Sequence, residues 1–200
     1  MNGFGLRWGR VGLLAIALGA APFLASCDSA SKVEELTKSV GLDPTQLVSK
    51  LGASNADLSS LSGALNDVIA KAGTDPKGAI DKLSAAAKSF SGNNNAISSA
   101  LGKLTEGGNT DMLKSWLGSA GSKATPEQLK GLTDTIGKFT GDSSKFQSML
   151  TDVTGKLMKN PTADGISGLK GAIGNLDAAK GGLSGVTDSL TKQFKGVLGM

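Results

Sequence analysis

Thr125-Pro126-Glu127-Gln128-Leu129-Lys130-Gly131-Leu132-Thr133-Asp134-Thr135-Ile136-Gly137-Lys138-Phe139 is the stretch that decides the fold class. Thr125 places a side-chain oxygen where the first free backbone N–H groups of a helix need an acceptor. Pro126 suits the first helical position, where a missing N–H costs nothing. Gln128 completes a capping box by reaching back to the Thr125 N–H. Leu129, Leu132, Ile136 and Phe139 then recur at steps of three, four and three, which aligns them along one side of a helix. A short helix with a single apolar stripe is marginal alone and gains its stability by burying that stripe against others.

The same unit recurs in both directions. Val33, Leu36 and Val40 lead to Gly41, and Asp43-Pro44-Thr45-Gln46-Leu47 repeats the start chemistry before Val48 and Leu51. Gly52 is read as a stop and Asn55 as the next cap, followed by Leu58, Leu61, Leu65 and Val68, with Ile69 and Ala72 widening the stripe up to Gly73. Thr74-Asp75-Pro76 starts a segment carrying Ile80, Leu83, Ala87 and Phe90. Gly92 with Asn93-Asn94-Asn95 reads as a turn with no metal-binding spacing, ahead of Ile97, Leu101, Leu104 and Gly107-Gly108. Asp111 opens a short helix with Met112, Leu113, Trp116 and Leu117, and 118–123 reads as a loop. Beyond Phe139, Asp142-Ser143 is read as a fresh start for Phe146, Leu150, Val153 and Leu157, and Asn160-Pro161 ends that segment. In 162–198, Ile166, Leu169, Ile173, Leu176, Leu183, Leu190, Phe194 and Val197 follow a heptad seam interrupted at Lys180 and Thr187. Gly181-Gly182 places an expected break there, since interior glycine costs up to ~1 kcal/mol of helix stability.

No segment alternates with period two. The fold expected is therefore all-α: an antiparallel bundle of seven to eight short helices, with a solenoid of helix pairs as the alternative. The segments share no repeated consensus, which favours the bundle. The likeness of 43–47 to 125–129 is shared capping chemistry.

The N-terminus reads differently. Arg7 and Arg10 precede an apolar run at 11–21, and no acidic residue occurs before Asp28. A basic start, a short apolar core and small residues ahead of a cut site mark a secretory signal. The run is too short to span a bilayer, which takes ~20 helical residues. Leu24-Ala25-Ser26-Cys27 follows, holding the chain's one cysteine. This resembles the lipobox of bacterial lipoproteins. The resemblance implies recognition of Leu24, Ala25 and Ser26 by signal peptidase II, a diacylglyceryl group on the Cys27 thiol, cleavage before Cys27 and acylation, typically with palmitate, of the new amine. Two or three acyl chains make a stable anchor where a single chain binds reversibly. Asp28 resembles the residue that retains enteric lipoproteins in the inner membrane; inner and outer membrane both stay open, with Asp28 favouring the inner. The chain then divides into a cleaved signal peptide at 1–26, a lipidated N-terminus and short polar leash at 27–32, and one helical domain at 33–200.

Removing 1–26 from 200 residues leaves 174, enough for one domain with a sizeable core. Both arginines lie in the signal, so 19 lysines face 17 acidic residues in the remainder. That near-balance lacks the concentrated basic face of a nucleic-acid-binding protein. The remainder also has no histidine, arginine or tyrosine. Histidine general acid–base chemistry, cysteine nucleophiles, histidine metal sites and bidentate arginine clamps are absent from this inventory. No catalytic, cofactor-binding or metal-ligating set is expected.

Trp116, alone of its kind in the remainder, reads as a core anchor, with a carbohydrate or membrane contact as the other option. Ser115-Trp116-Leu117-Gly118 and the following Thr125-Pro126-Glu127-Gln128-Leu129 resemble the YidB-like family of bacterial helical proteins over 111–157. That resemblance implies a helical fold and transfers no site. The wealth of glycine, alanine and serine has three readings: close helix approach, loose helices, or a C-terminal segment lying on a membrane with Lys170, Lys180, Lys192 and Lys195 on its wet side. The function expected is a lipid-anchored, non-enzymatic envelope protein, periplasm-facing, with an envelope protein partner and a structural or accessory role. A carrier of a lipid or small hydrophobe, and a membrane-active or toxin-related helical protein, are the alternatives.

Overall fold

The computed structural model describes residues 27–106 and 110–200. They form eight helices: α1 Cys27–Val40, α2 Pro44–Ala70, α3 Pro76–Leu104, α4 Thr110–Trp116, α5 Ser119–Lys123, α6 Pro126–Lys159, α7 Ala163–Gly168 and α8 Lys170–Leu198. Among the described residues there is no strand. The fold is an all-α bundle. α2, α3, α6 and α8 are long; α2 and α6 each pack against both α3 and α8.

Contacts along the seams fix the directions. Asn55 of α2 donates to Asp188 of α8 (2.6 Å), whereas Ser62, further along α2, donates to Asp177, earlier in α8 (3.2 Å). The pair is therefore antiparallel. On the other side of α2, Asn93 donates to Asp57 (2.7 Å) while Lys82 lies 3.8 Å from Asp67, again antiparallel. Ser143 of α6 donates to Asn94 of α3 (3.1 Å), and Phe90 meets Phe146 edge-on with centroids 5.2 Å apart. Gln193 of α8 donates to Thr135 of α6 (2.9 Å). The four long helices run up-down-up-down, a standard bundle arrangement.

Local chemistry explains the starts. Asp43, Asp75, Thr125 and Thr162 each accept a hydrogen bond from the backbone N–H three residues on. At Asp43 and Thr125 the capping box is closed by Gln46 and Gln128, which accept from the cap backbone N–H at 3.2 and 2.8 Å. The Thr45 hydroxyl, and then the Gln46 N–H, hold the Asp43 carboxyl below its ordinary value. A depressed carboxyl stabilises the fold above its unfolded pKa and loses that contribution as pH falls through the folded one. Asp43→Ala is expected to cost about 1 kcal/mol at neutral pH. Urea unfolding should show the difference shrinking in acid; a cost independent of pH would remove the charge from the account.

The spacing predicts short segments, and these fuse in pairs into four longer helices. α2 runs through Gly52 and Asn55, α3 through Gly92 and Asn93–Asn95, and α6 through Asp142-Ser143. α8 runs through Gly181-Gly182, and the chain breaks instead at Leu169. The cause is phase. On each side of these points the apolar seam continues in step, so Ser54, Asn94, Ser143 and Thr187 are buried as seam residues. Burying both halves against the same neighbours outweighs the propensity cost of ~1 kcal/mol per glycine. Two expected irregular segments are also helical: the leash at 27–32 belongs to α1, and 118–123 contains α5. The 28–31 stretch carries no proline or glycine to stop a helix.

Among the described residues, thirty-five hydrophobic side chains form one buried cluster. It contains Leu58, Leu61, Leu83, Phe90, Ile136, Phe139, Leu183 and Phe194, all within the seams anticipated from spacing. α1, α4 and α5 pack at one end, beside the start of α6 and the ends of α3 and α8.

Candidate functional site

Leu24, Ala25 and Ser26 lie outside the described residues, while Cys27 and Asp28 open α1. α1 then leads to Val40, which is buried, and to Gly41, whose φ of +83° turns the chain into Leu42 and α2. α1 packs against α3 and α4, with Leu36 against the core and the Lys103 ammonium donating to the Ser39 carbonyl (2.6 Å). The residue expected to carry the lipid thus begins a helix whose far end is docked on the bundle.

Trp116 is the centre of the capped end. It is fully buried, and its indole N–H donates to the Leu42 carbonyl (2.9 Å), joining α4 to the α1–α2 turn. Its ring meets Phe194 of α8 at a 76° angle with centroids 6.0 Å apart. The core-anchor reading of Trp116 holds, and burial removes the carbohydrate- or membrane-contact option. Gly118, with φ +60°, makes the turn from α4 to α5. A Cβ at Gly121 would overlap the Lys114 carbonyl oxygen, so this position needs glycine. Neither constraint is visible in spacing, because α5 is short and has no side-chain cap.

The remaining glycines bear on the three readings of the small-residue content. At Gly52, Gly63, Gly137, Gly141, Gly174 and Gly182 an added Cβ would meet nothing within 4 Å. These glycines do not bring helices of this bundle together. α8 buries Leu183, Leu190 and Phe194 in the core, with Lys170, Lys192 and Lys195 in solvent and Lys180 half-buried, donating to Ser62 (2.9 Å). The apolar face considered for a membrane is occupied by the bundle.

Among the described residues no three His, Cys, Asp or Glu side chains gather to hold a metal ion. The ion pairs are mostly within one helix and exposed, such as Lys130–Asp134 at 2.9 Å and Lys156–Asp152 at 2.7 Å, a class worth little in stability. One shallow groove lies on α6 along Ser144, Gln147, Ser148 and Thr151, and another lies between α6 and α8 beside Gly131 and Gln193. No described helix is long and apolar enough to cross a membrane. No family model, curated protein or solved structure matches the chain.

Proposed function

We propose that this chain is a lipid-anchored, non-enzymatic protein of a bacterial cell envelope, whose helical bundle contacts another envelope component on the periplasmic side. The observation that carries the reading is the single cysteine of the chain, placed directly after Leu24-Ala25-Ser26 and behind a basic and apolar leader. Two features support it. The segment that follows Cys27 is helical and its end packs on the bundle, so an anchor there would hold the domain close to the bilayer. The inventory lacks histidine and arginine after the leader, which suits contact better than catalysis. Confinement at a surface raises effective concentration, so modest contacts suffice for a partner in the same membrane. Asp28 favours the inner membrane.

The test is Cys27→Ser in cells fed a labelled palmitate. The parent is expected to carry label and to sediment with membranes, in the inner fraction if Asp28 acts as a sorting residue. The variant should lose the label and leave the membrane fraction, with unchanged helicity by circular dichroism. Label retained in the variant would overturn the anchor. Cross-linking of the parent in intact envelopes should capture a specific protein, and a domain that captures nothing would remove the interaction role.

A further inference from the structure

Each long helix buries a single polar residue in the middle of its apolar seam: Ser54 in α2, Asn94 in α3, Ser143 in α6 and Thr187 in α8. Thr154 is buried too, but beside the seam residues Val153 and Leu157 and nearer the end of α6. The four seam residues stand at one level. Ser143 donates to Asn94 directly (3.1 Å). Asn55 bonds both Asp188 and Ser184, which brackets Thr187 opposite Ser54. Asp57 bonds Asn93 and Ser89, and moving back along α2 to Ser54 while moving forward along antiparallel α3 arrives at Asn94. Gln193 bonds Thr135, and equal steps toward Ser143 and back along α8 reach Gly185, within a turn of Thr187. Thr187 satisfies its hydroxyl on the Leu183 carbonyl (2.8 Å), whereas the Ser54 hydroxyl is buried without a partner in the protein.

We infer that this polar layer is the register lock of the bundle: it fixes how far each helix slides along its neighbours. The apolar seams alone are poor at this. They repeat leucine, isoleucine and phenylalanine at heptad-like spacing, so a shift by one heptad again sets apolar side chains opposite one another. Such a shift separates Ser143 from Asn94 and sets Asn94 against Ile136 or Leu150 and Ser143 against Ala87 or Leu101, where an unbonded polar group is costly. The layer thus raises the energy of slipped bundles more than that of the native one. A single buried polar position sets register in the same way in coiled coils.

Cross-linking reads the register directly. In a full chain carrying Cys27→Ser, no natural thiol remains. Asn55→Cys with Asp188→Cys reports the observed register, and Ser62→Cys with Asp188→Cys reports a slip of one heptad. A short thiol-to-thiol cross-linker, followed by peptide mass mapping, should close the first pair at least tenfold more than the second in the parent layer. With Ser54→Ala, Asn94→Leu, Ser143→Ala and Thr187→Val added, the ratio should fall to within threefold while helicity is retained. A milder variant, Asn94→Ala with Ser143→Ala, should move the ratio the same way by at least threefold. An unchanged ratio in both, or loss of helical structure in the fourfold variant, overturns the proposal, since apolar replacements at a lock should relax register without unfolding the bundle.

Discussion

Trp116→Ala is expected to destabilise the domain by about 3–5 kcal/mol, the range for truncating a fully buried tryptophan. The basis is specific to the capped end. The indole is closed to solvent and packs edge-on against Phe194 from α8. Its N–H is the partner of the Leu42 carbonyl, at a separation of 74 residues along the chain. Removal leaves a cavity where α1, α2, α4 and α8 converge and strips a buried carbonyl of its donor, a second penalty of about 1–3 kcal/mol if water does not replace it. Trp116→Phe separates the terms: it keeps much of the packing, loses the hydrogen bond, and should cost less than the alanine variant. Urea unfolding followed by circular dichroism measures both. If residues 1–26 are removed, Trp116 is also the sole tryptophan, so its fluorescence reports the capped end alone. A fluorescence transition coincident with the loss of helicity means that cap and bundle unfold together. An earlier one makes the cap a separate cooperative unit. An alanine variant within 1 kcal/mol of the parent would show that the cap is not held by this residue.

How much of this was legible depended on the range of the interaction. The starts at Asp43, Asp75 and Thr125 are readable because a cap is local: the acceptor and the N–H it satisfies lie three residues apart. The seams were readable for the same reason, and Leu47, Leu65, Ile80, Ile136 and Leu190 are buried as spacing required. The expected stops that the helices run through share a cause. Gly52-Asn55, Asn93–Asn95 and Asp142-Ser143 surround the buried polar layer. There a seam that turns polar beside glycine or asparagine looks like an ending when one helix is considered alone. Only the partner shows otherwise: Asn94 is tolerable in a core because Ser143 donates to it from another helix. The Trp116–Leu42 bond and the close approach at Gly121 are equally non-local. At Cys27 the position is reversed. The proposed anchor rests on a local motif, and the fold contributes only the helix that follows it.

Gly52→Ala, Gly63→Ala, Gly137→Ala, Gly141→Ala, Gly174→Ala and Gly182→Ala, combined, are expected to raise stability by about 3–6 kcal/mol. Each position lies inside a long helix and faces solvent, and a Cβ there meets nothing within 4 Å. The gain per site is about 0.5–1 kcal/mol, because alanine narrows the unfolded ensemble while fitting the helix without strain. The sites are spread over α2, α6 and α8 and share no partners, so their effects should add. For a domain of this size such a gain raises the melting temperature on the order of 15 °C. Gly121→Ala is the internal control: it has the same chemistry, but its Cβ would overlap the Lys114 carbonyl, and it should destabilise. The comparison decides between two accounts of the glycine content. If the six exposed changes stabilise and the buried one does not, glycine is structurally required at the α4–α5 turn and replaceable along the outer faces. If the six changes give less than 1 kcal/mol together, the outer glycines hold a conformation that alanine cannot adopt, and the long helices are not regular through those positions in solution.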